Sequence, residues 1–354
     1  MKLIHCGDIH LDSRMESNLP AEKARERNAE ICATFTRMIR YGLDHEVRAV
    51  LIAGDLFDTA RASSQTVQFV LDRIRDAKNM DFLYLRGNHD EGDPFEGMEL
   101  PQNFKAFSNQ WTAYRYGDVV ISGVEPDNWE EFYDGLKLNP EDTNIVVLHG
   151  QTATQTGEEL ICLPKLRGKH ICYLALGHIH SYKRDNLDLD GQWCYCGCLE
   201  GRGFDELGRK GFVLLDAENG RAKPEFVPFA GRTMEEVAVD ITGLTTVTQI
   251  LSAMEQAGAG IPGSSLVKFT FTGTHTLDTQ LDLRFLGKML ESRYYFVKIK
   301  DESCLGIAKE DYEHDISLKG EFIRMVLSSN KSEEEKEQII RFGIQALLGQ
   351  EVEA

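Results

Sequence analysis

The chain has 354 residues, 42% of them apolar and 27% charged, and its 39 Lys and Arg against 57 Asp and Glu leave a formal net charge of −18. That length exceeds one ordinary domain, and the composition is that of a soluble globular protein. No apolar run approaches the ~20 residues a membrane helix needs, and charge of this sign argues against a protein that coats nucleic acid by bulk electrostatics. The acid is unevenly spread: residues 51–150 carry 8 basic against 18 acidic side chains, and residues 301–354 carry 6 against 13. Carboxylates gathered around divalent cations would be less acidic than that count implies. The first strand begins at Lys2, which leaves no room for a targeting segment. The eight cysteines follow no disulfide framework, so reduced thiols in a cytoplasm are expected. Cys194, Cys196 and Cys198 alternate along an expected strand; they read as small apolar residues on one face rather than as a thiolate metal site, which would want a C-x-x-C spacing.

Lys2–Cys6 reads as a strand ending in Gly7-Asp8-Ile9-His10-Leu11-Asp12. Residues two apart in extended chain point the same way, so Asp8 and His10 are expected to share one target while Ile9 packs inward. A carboxylate beside an imidazole suits Mn, Fe or Zn better than calcium. From Ala21 to about Asp44, Ile31, Phe35, Met38, Ile39 and Leu43 recur at helical spacing, and His45 follows as a helix-end residue. The apolar run Ala49–Ala53 then stops at Gly54-Asp55-Leu56-Phe57-Asp58, the pattern of a buried parallel strand running into a functional loop. Val67, Val70, Leu71 and Ile74 mark a second helix, and the run Phe82–Leu85 leads to Gly87-Asn88-His89-Asp90. Neighbours in extended backbone face opposite ways. Asn88 is therefore expected to offer a carbonyl oxygen to a metal, with His89 free for acid–base or charge-stabilising chemistry. The alternation strand–helix–strand–helix–strand is a repeated parallel crossover, and open sheets of that kind bind ligands at the carboxyl ends of their strands.

A looser stretch, Glu91 to Gly117, is followed by strands over Asp118–Val124, Asn144–Leu148 and Cys172–Leu176. The last two end in His149-Gly150 and Gly177-His178-Ile179-His180. Five strand ends thus carry Asp-x-His, Asp, Asn-His, His and His-x-His. Asp8, His10, Asp55, Asn88, His149, His178 and His180 make seven donors, too many for one tetrahedral ion. They suit two five- or six-coordinate ions if one carboxylate bridges and solvent completes the shells. Two ions ~3.5–4 Å apart are the arrangement that clamps the attacking and leaving oxygens of a displacement at phosphorus.

In this order, D-x-H, G-D-x-x-D, G-N-H-D, H-G and G-H-x-H resemble the calcineurin-like metallophosphoesterase superfamily. Gly7–Asp12, Gly54–Asp58 and the run Gly201-Arg202-Gly203-Phe204-Asp205-Glu206-Leu207-Gly208-Arg209-Lys210-Gly211 look like its SbcD-type DNA-repair exonuclease branch. The resemblance implies an α/β fold, a four-layer β-sandwich flanked by helices. It also implies that Asp8, His10 and His180 hold one ion, that Asn88, His149 and His178 hold the other, and that Asp55 bridges. Solvent between the ions would attack phosphorus, and His89 would steady the developing charge or protonate the leaving oxygen. Manganese is the usual ion in such nucleases, with Fe, Zn or Ni as alternatives. Asp58 stands where some relatives carry histidine. Asp58 and Arg202 are the candidate substrate contacts, a salt bridge in a Gly-rich turn being the other role open to Arg202.

Composition and periodicity shift after Phe229, so residues 1–230 are assigned to the metallophosphoesterase domain, 231–304 to a small α+β cap and 305–354 to C-terminal helices. Gly231-Arg232 reads as the hinge. In the cap, strands are expected over Val237–Ile241, Ser265–Thr272 and Tyr294–Lys300, and helices over Thr248–Ala257 and Leu277–Arg293, with His275 in a polar turn. Beyond it, Ile316–Val326 and Glu333–Leu348 read as helices, the second capped by Ser332. Gly343 inside it costs about 1 kcal/mol relative to Ala, so packing must hold it helical. The resemblance makes DNA the substrate and an SbcC-type coiled-coil ATPase the partner of these helices, and leaves room for a homodimer. Two other function classes stand beside the nuclease: a small-molecule phosphodiesterase or phosphatase using the same ions, and an idle scaffold, which could dispense with the donors and His89.

Overall fold

Met1–Met234 and Glu235–Ala354 each form a compact unit. The computed structural model describes residues 1–15, 19–58, 62–90, 92–276, 279–306 and 312–347. In the first unit, β1 (Lys2–Cys6), α1 (Ala21–Asp44), β2 (Ala49–Ala53), α2 (Ser64–Asp76) and β3 (Asp81–Leu85) form the expected crossover repeat, which β4 (Phe104–Ala106) extends. β1 pairs parallel with β2, and β2 with β3. Every residue of β2 and β3 is buried, as uninterrupted apolar strands lying between two layers must be. Next come β5 (Thr112–Tyr116), β6 (Val119–Gly123), β7 (Thr143–His149), β8 (Gln151–Ala153), β9 (Leu160–Cys162), α3 (Leu163–Leu166), β10 (Tyr173–Gly177), β11 (Lys183–Asn186), β12 (Gln192–Tyr195), β13 (Gly211–Glu218) and β14 (Arg221–Pro228).

These strands build two six-stranded sheets, β14-β13-β1-β2-β3-β4 and β11-β12-β10-β7-β6-β5. Leu3, Leu51 and Leu83 from the first share one core with Ile121, Ile145, Val147 and Ala175 from the second. α1 covers the outer face of the first sheet, its Gly42 lying close against Met80 and Ile4. Tyr133, Leu136 and Leu166 cover the outer face of the second, against Val146, Leu148 and Leu174. The result is the expected four-layer α/β sandwich. The cysteine strand is shorter than its alternation implies. It ends at Tyr195, so Cys196 and Cys198 follow it in irregular backbone, yet Cys194, Cys196 and Cys198 are all buried. Burial pushes the Cys194 thiol up to about 11 and raises the other two well above the ordinary thiol range.

β15 (Met234–Asp240) leads into the second unit, with α4 (Val247–Ala257), β16 (Leu266–Thr272), β17 (Thr274–His275), α5 (Leu283–Leu290), β18 (Phe296–Asp301), β19 (Cys304–Leu305), α6 (Leu318–Leu327) and α7 (Glu333–Leu347). Ile250 and Met254 of α4 and Leu286 and Leu290 of α5 pack on Val267, Phe269 and Phe271 of a three-stranded sheet, β15-β16-β18. The helix expected over 277–293 is confined to α5, because the Asp282 side chain accepts from Phe285 N and starts the helix there; residues 277–278 lie outside the described residues. His275 is not in a turn but pairs with Leu305, its Nδ1 2.9 Å from Ser303 Oγ. Ser332 caps α7 in a reciprocal box with Glu335. A Cβ on Gly343 would overlap the Phe322 ring, so glycine is what lets α7 approach α6. Leu348 lies outside the described residues. Among the described residues no helix is long and apolar enough to cross a membrane.

Candidate metal centre

The carboxyl ends of β1, β2 and β3 in one sheet and of β7 and β10 in the other meet at one place. Backbone hydrogen bonds stitch the first two loops together: Asp8 N donates to Gly54 O, Ile9 N and His10 N to Asp55 O, and Leu11 N to Leu56 O, all at 2.9–3.0 Å. Asp55 Oδ1 accepts from His89 N at 2.9 Å, and Asp8 Oδ1 accepts from His178 N at 2.8 Å, so carboxylate oxygens also tie the loops to one another. Gly87 has no freedom to be another residue, since a Cβ there would overlap Asp55 Oδ1. At Gly177 a Cβ would strike Ala53 O, the atom that holds His149.

The seven expected donors converge. Asp8, His10 and His180 form one group whose ligand atoms lie within 4.8 Å of one another, and Asp8, Asp55 and His149 form a second. Asp55 Oδ2 lies between the two sides, 3.8 Å from His10 Nε2 and 3.5 Å from His149 Nε2. Asn88 Oδ1 faces the second side, 2.9 Å from His149 Nε2 and 3.4 Å from His178 Nδ1. His89 turns the other way. Its side chain is 46% exposed, its ring stands edge-on to His10 at 5.0 Å, and its Nδ1 is 3.8 Å from Asp58 Oδ1. His89 also belongs with His10 and Asp58 to a third group of potential ligands.

The local geometry differs from what strand alternation supposes. Asp8 and His10 have φ of 48° and 50°, Asp55 has 51° and His178 has 99°. None of these is extended; each lies beyond the end of its strand in the left-handed region, a costly conformation for a non-glycine residue. Asp8 and His10 share a target because two left-handed residues flank Ile9, not because they alternate along a strand. Likewise, Asn88 and His89 diverge within a turn.

Three imidazoles have their Nδ1 atoms occupied at the rear: His149 by Ala53 O at 2.9 Å, His180 by Glu206 Oε1 at 2.7 Å and His10 by Asp58 Oδ1 at 2.9 Å. Ala53 O is an acceptor only, so His149 carries its proton on Nδ1 and presents an Nε2 lone pair inward; His180 Nδ1 has the Arg202 Nη2 donor at 3.4 Å beside the Glu206 carboxylate. The Nε2 atoms of His10 and His180 face each other at 3.1 Å. Asp8 Oδ2 is buried in their midst and has no hydrogen-bond partner. Inward lone pairs on oxygen and nitrogen around an orphaned buried carboxylate oxygen fit divalent cations, which supply the missing positive charge. Burial pushes the Asp8 carboxyl up to about 6, with His149 and His180 pulling against it. Burial also lowers His10 and His178. At His180 burial lowers the pKa too, but the Glu206 carboxylate outweighs it and raises the imidazole.

Asp58 and Arg202 are turned toward the protein. Arg202 donates from Nε and Nη2 to Glu206 Oε1, at 3.1 and 2.8 Å, and from Nη1 to Asp58 Oδ1 at 2.7 Å. Of the two roles open to Arg202, the salt bridge is the one seen, and it is largely buried. Burial alone would raise Asp58, but hydrogen bonds from His10 and Ser13 and the charge of Arg202 bring it to about 2. Sequence reasoning missed Glu206 and Asp90. Asp90 accepts from Leu56 N, Phe57 N and Gly87 N at 3.0–3.2 Å and binds two of the loops together. Asp90 sits openly in G-N-H-D; nothing near Glu206 points to a histidine 26 positions earlier.

The model of the calcineurin-like phosphoesterases matches residues 1–200. The chain is similar to "Uncharacterized metallophosphoesterase YhaO" of Bacillus subtilis, 28% identical over 277 residues, 72% of this chain and 67% of that protein. It is also similar to "DNA double-strand break repair protein Mre11" of Sulfolobus acidocaldarius, at 27% over 209 residues, 53% of this chain and 52% of that one. The protein of the same name in Haloferax volcanii is 24% identical over 255 residues, 68% and 55% of the two chains. The chain thus spans about half the length of these Mre11 proteins. Among solved structures, TT1561 of Thermus thermophilus aligns over 62% of this chain and 99% of its own, with 13% identity and a TM-score of 0.40. With the family model covering more than half of its length, the chain belongs to the calcineurin-like phosphoesterase family.

Proposed function

We propose that the chain is a two-metal phosphodiesterase of the SbcD type, the nuclease subunit of a DNA-repair complex. The observation that carries this reading is the set of inward-facing atoms: Nε2 of His10, His149 and His180, Asn88 Oδ1, the shared Asp55 Oδ2 and the unpartnered Asp8 Oδ2. Asp8, His10 and His180 hold one divalent cation, Asn88, His149 and His178 hold a second, and Asp55 serves both. Manganese is the expected ion. When bound, such a pair supplies Lewis-acid polarisation of a phosphoryl oxygen and a water nucleophile at neutral pH. The chain's own contribution is to fix the donors and to place His89, the exposed imidazole at the edge of the cluster, where it can give a proton to the leaving oxygen.

DNA as substrate is supported by the Gly7–Asp12, Gly54–Asp58 and Gly201–Gly211 stretches and by relatives whose names are those of break-repair proteins. Residues 1–230 act as the nuclease domain and 231–304 as a cap. Residues 305–354 dock an SbcC-type ATPase; the exposed Ile316, Leu318 and Met325 support this, being apolar side chains left in water.

A second reading, a phosphodiesterase for compact substrates, is favoured by the cleft beside Asn88 and His149. Its walls include Arg86, Trp129, Glu125, Asp127, Glu158 and Glu159. Arg86 is already engaged by Glu125, at 2.7 Å from Nε and 2.6 Å from Nη2. A wall with five carboxylates, Asp90 included, and one paired guanidinium repels a second phosphate more than it repels a neutral group. The test is hydrolysis by the purified chain in manganese, with linear duplex DNA, cyclic nucleotides and phosphopeptides compared side by side. Shortening of duplex ends supports the nuclease, turnover of cyclic nucleotides alone supports the second reading, and no metal-dependent hydrolysis of any of them refutes both.

A further inference from the structure

Beyond the donors, the two sides of the cluster are backed differently. On the second side, His149 Nδ1 leans on a neutral backbone carbonyl, Ala53 O. On the first side, a closed ring of charged groups runs behind the donors. His180 Nδ1 meets Glu206 Oε1 at 2.7 Å and Arg202 Nη2 at 3.4 Å, Arg202 bridges Glu206 to Asp58, and Asp58 Oδ1 lies 2.9 Å from His10 Nδ1. The ring closes where the two Nε2 atoms face each other at 3.1 Å. Its members are withdrawn from water: Glu206 is 3% exposed, and the Arg202 side chain 16%. The loop that carries it is anchored from behind. Glu206 Oε2 takes Arg202 N at 2.6 Å, and buried Arg27 of α1 holds Glu200 at 2.8 Å and Gly201 O at 2.9 Å.

We propose that Glu206 is a positioning residue for the Asp8–His10–His180 side of the centre. Through the 2.7 Å contact it keeps His180 protonated on Nδ1, with Nε2 turned inward, and through Arg202 it fixes Asp58 behind His10. The inference rests on the two-metal reading above and adds to it that the two positions are supported by unlike means. A carboxylate behind an imidazole makes that imidazole a more basic donor than a carbonyl does. Loss of the Glu206 charge therefore weakens one metal-binding event and spares the other. A residue that merely packed the loop would, if removed, loosen both events or neither.

The test uses the full chain stripped of metal and titrated calorimetrically with Mn²⁺. Two binding events are expected for the unaltered protein. In Glu206→Gln the affinity of one falls by about 10–100-fold, the usual cost of losing such a partner, and the other holds. In parallel, long-range ¹H–¹⁵N correlation on the metal-free, imidazole-labelled protein should show His180 as the Nδ1–H tautomer, with the Nε2–H form gaining population in Glu206→Gln. Identical titrations for the two proteins, or His180 found as Nε2–H in the unaltered chain, overturn the proposal. Should Glu206→Gln fail to fold, Asp58→Asn at the more accessible end of the ring must weaken the same single event, and an unchanged titration there is equally fatal. If the unaltered chain takes up no Mn²⁺, the two-metal reading fails. The His180 tautomer then still decides whether Glu206 positions that ring.

Discussion

The Asp90 carboxylate accepts three backbone N–H groups, two from the loop after β2 and one from the loop after β3, at 3.2, 3.0 and 3.1 Å. Removing it by Asp90→Ala strands three donors in a place with almost no water, since Asp90 is 4% exposed. Each buried unsatisfied donor costs about 1–3 kcal/mol. Local relaxation and entry of a water recover part of the sum, so a net loss of roughly 3–5 kcal/mol is expected, at the top of the range for single substitutions. Asp90→Asn is the milder change. Burial raises the Asp90 carboxyl against the pull of its N–H partners, so a neutral isostere avoids a desolvation cost while giving up one acceptor; about 1–2 kcal/mol is expected. All three tryptophans, Trp111, Trp129 and Trp193, lie in the first unit, so their fluorescence during urea unfolding reports on that unit. A loss below about 1 kcal/mol for Asp90→Ala, no more than an ordinary hydrogen bond is worth, would refute this account of what joins the two loops.

His89→Ala should leave both Mn²⁺-binding events intact while slowing phosphodiester turnover by about 10²–10⁴-fold, the usual contribution of a general acid; loss of either event would make His89 a ligand instead. Gly343→Ala gains about 1 kcal/mol of helix propensity, but its methyl meets the Phe322 ring, and overpacking of about 1–3 kcal/mol should win. Faster amide exchange in α6 and α7 is the readout, and slower exchange would contradict the packing. Buried His5, hydrogen-bonded through Nδ1 to Tyr173 at 2.9 Å, has its pKa lowered by burial from 6.5 to about 3. The unfolded chain then binds one more proton below pH 6.5, so stability present above 6.5 is lost as the pH falls toward 3, by about 1.4 kcal/mol per unit. In His5→Phe that share of the acid sensitivity should vanish from the pH dependence of the urea midpoint.

The elements of the first unit were legible because their signals are local. α1 spans the range its spacing defines, between Pro20 and His45, and the apolar runs at Ala49–Ala53 and Phe82–Leu85 are buried strands. What stayed hidden depends on partners distant in the chain. Nothing local says that β1 pairs with β13, more than two hundred residues on, or that Asp282 rather than a residue near 277 starts α5. Gly343 was recognisable as a position needing packing, but only the structure names Phe322 as the reason.

At the site, the grouping was legible while its cause was not. Alternation along a strand correctly pairs Asp8 with His10 and separates Asn88 from His89, yet the residues concerned have left the strand. Asp8, His10 and Asp55 each hold φ near 50°, at a cost of about 1–3 kcal/mol apiece. Such conformations persist only where the surroundings over-determine them, and here they do: Asp8 N, Ile9 N and His10 N are tied to the loop after β2, and Asp8 Oδ1 and Asp55 Oδ1 each take a further N–H. The same bonds orient the carboxylates. Asp8 and Asp55 each spend Oδ1 on a backbone donor and keep Oδ2 for the centre, as His149 spends Nδ1 on Ala53 O and keeps Nε2. Every donor that is fixed from behind presents its second lone-pair atom inward, and the cost of holding it there falls on the fold rather than on the binding of a cation.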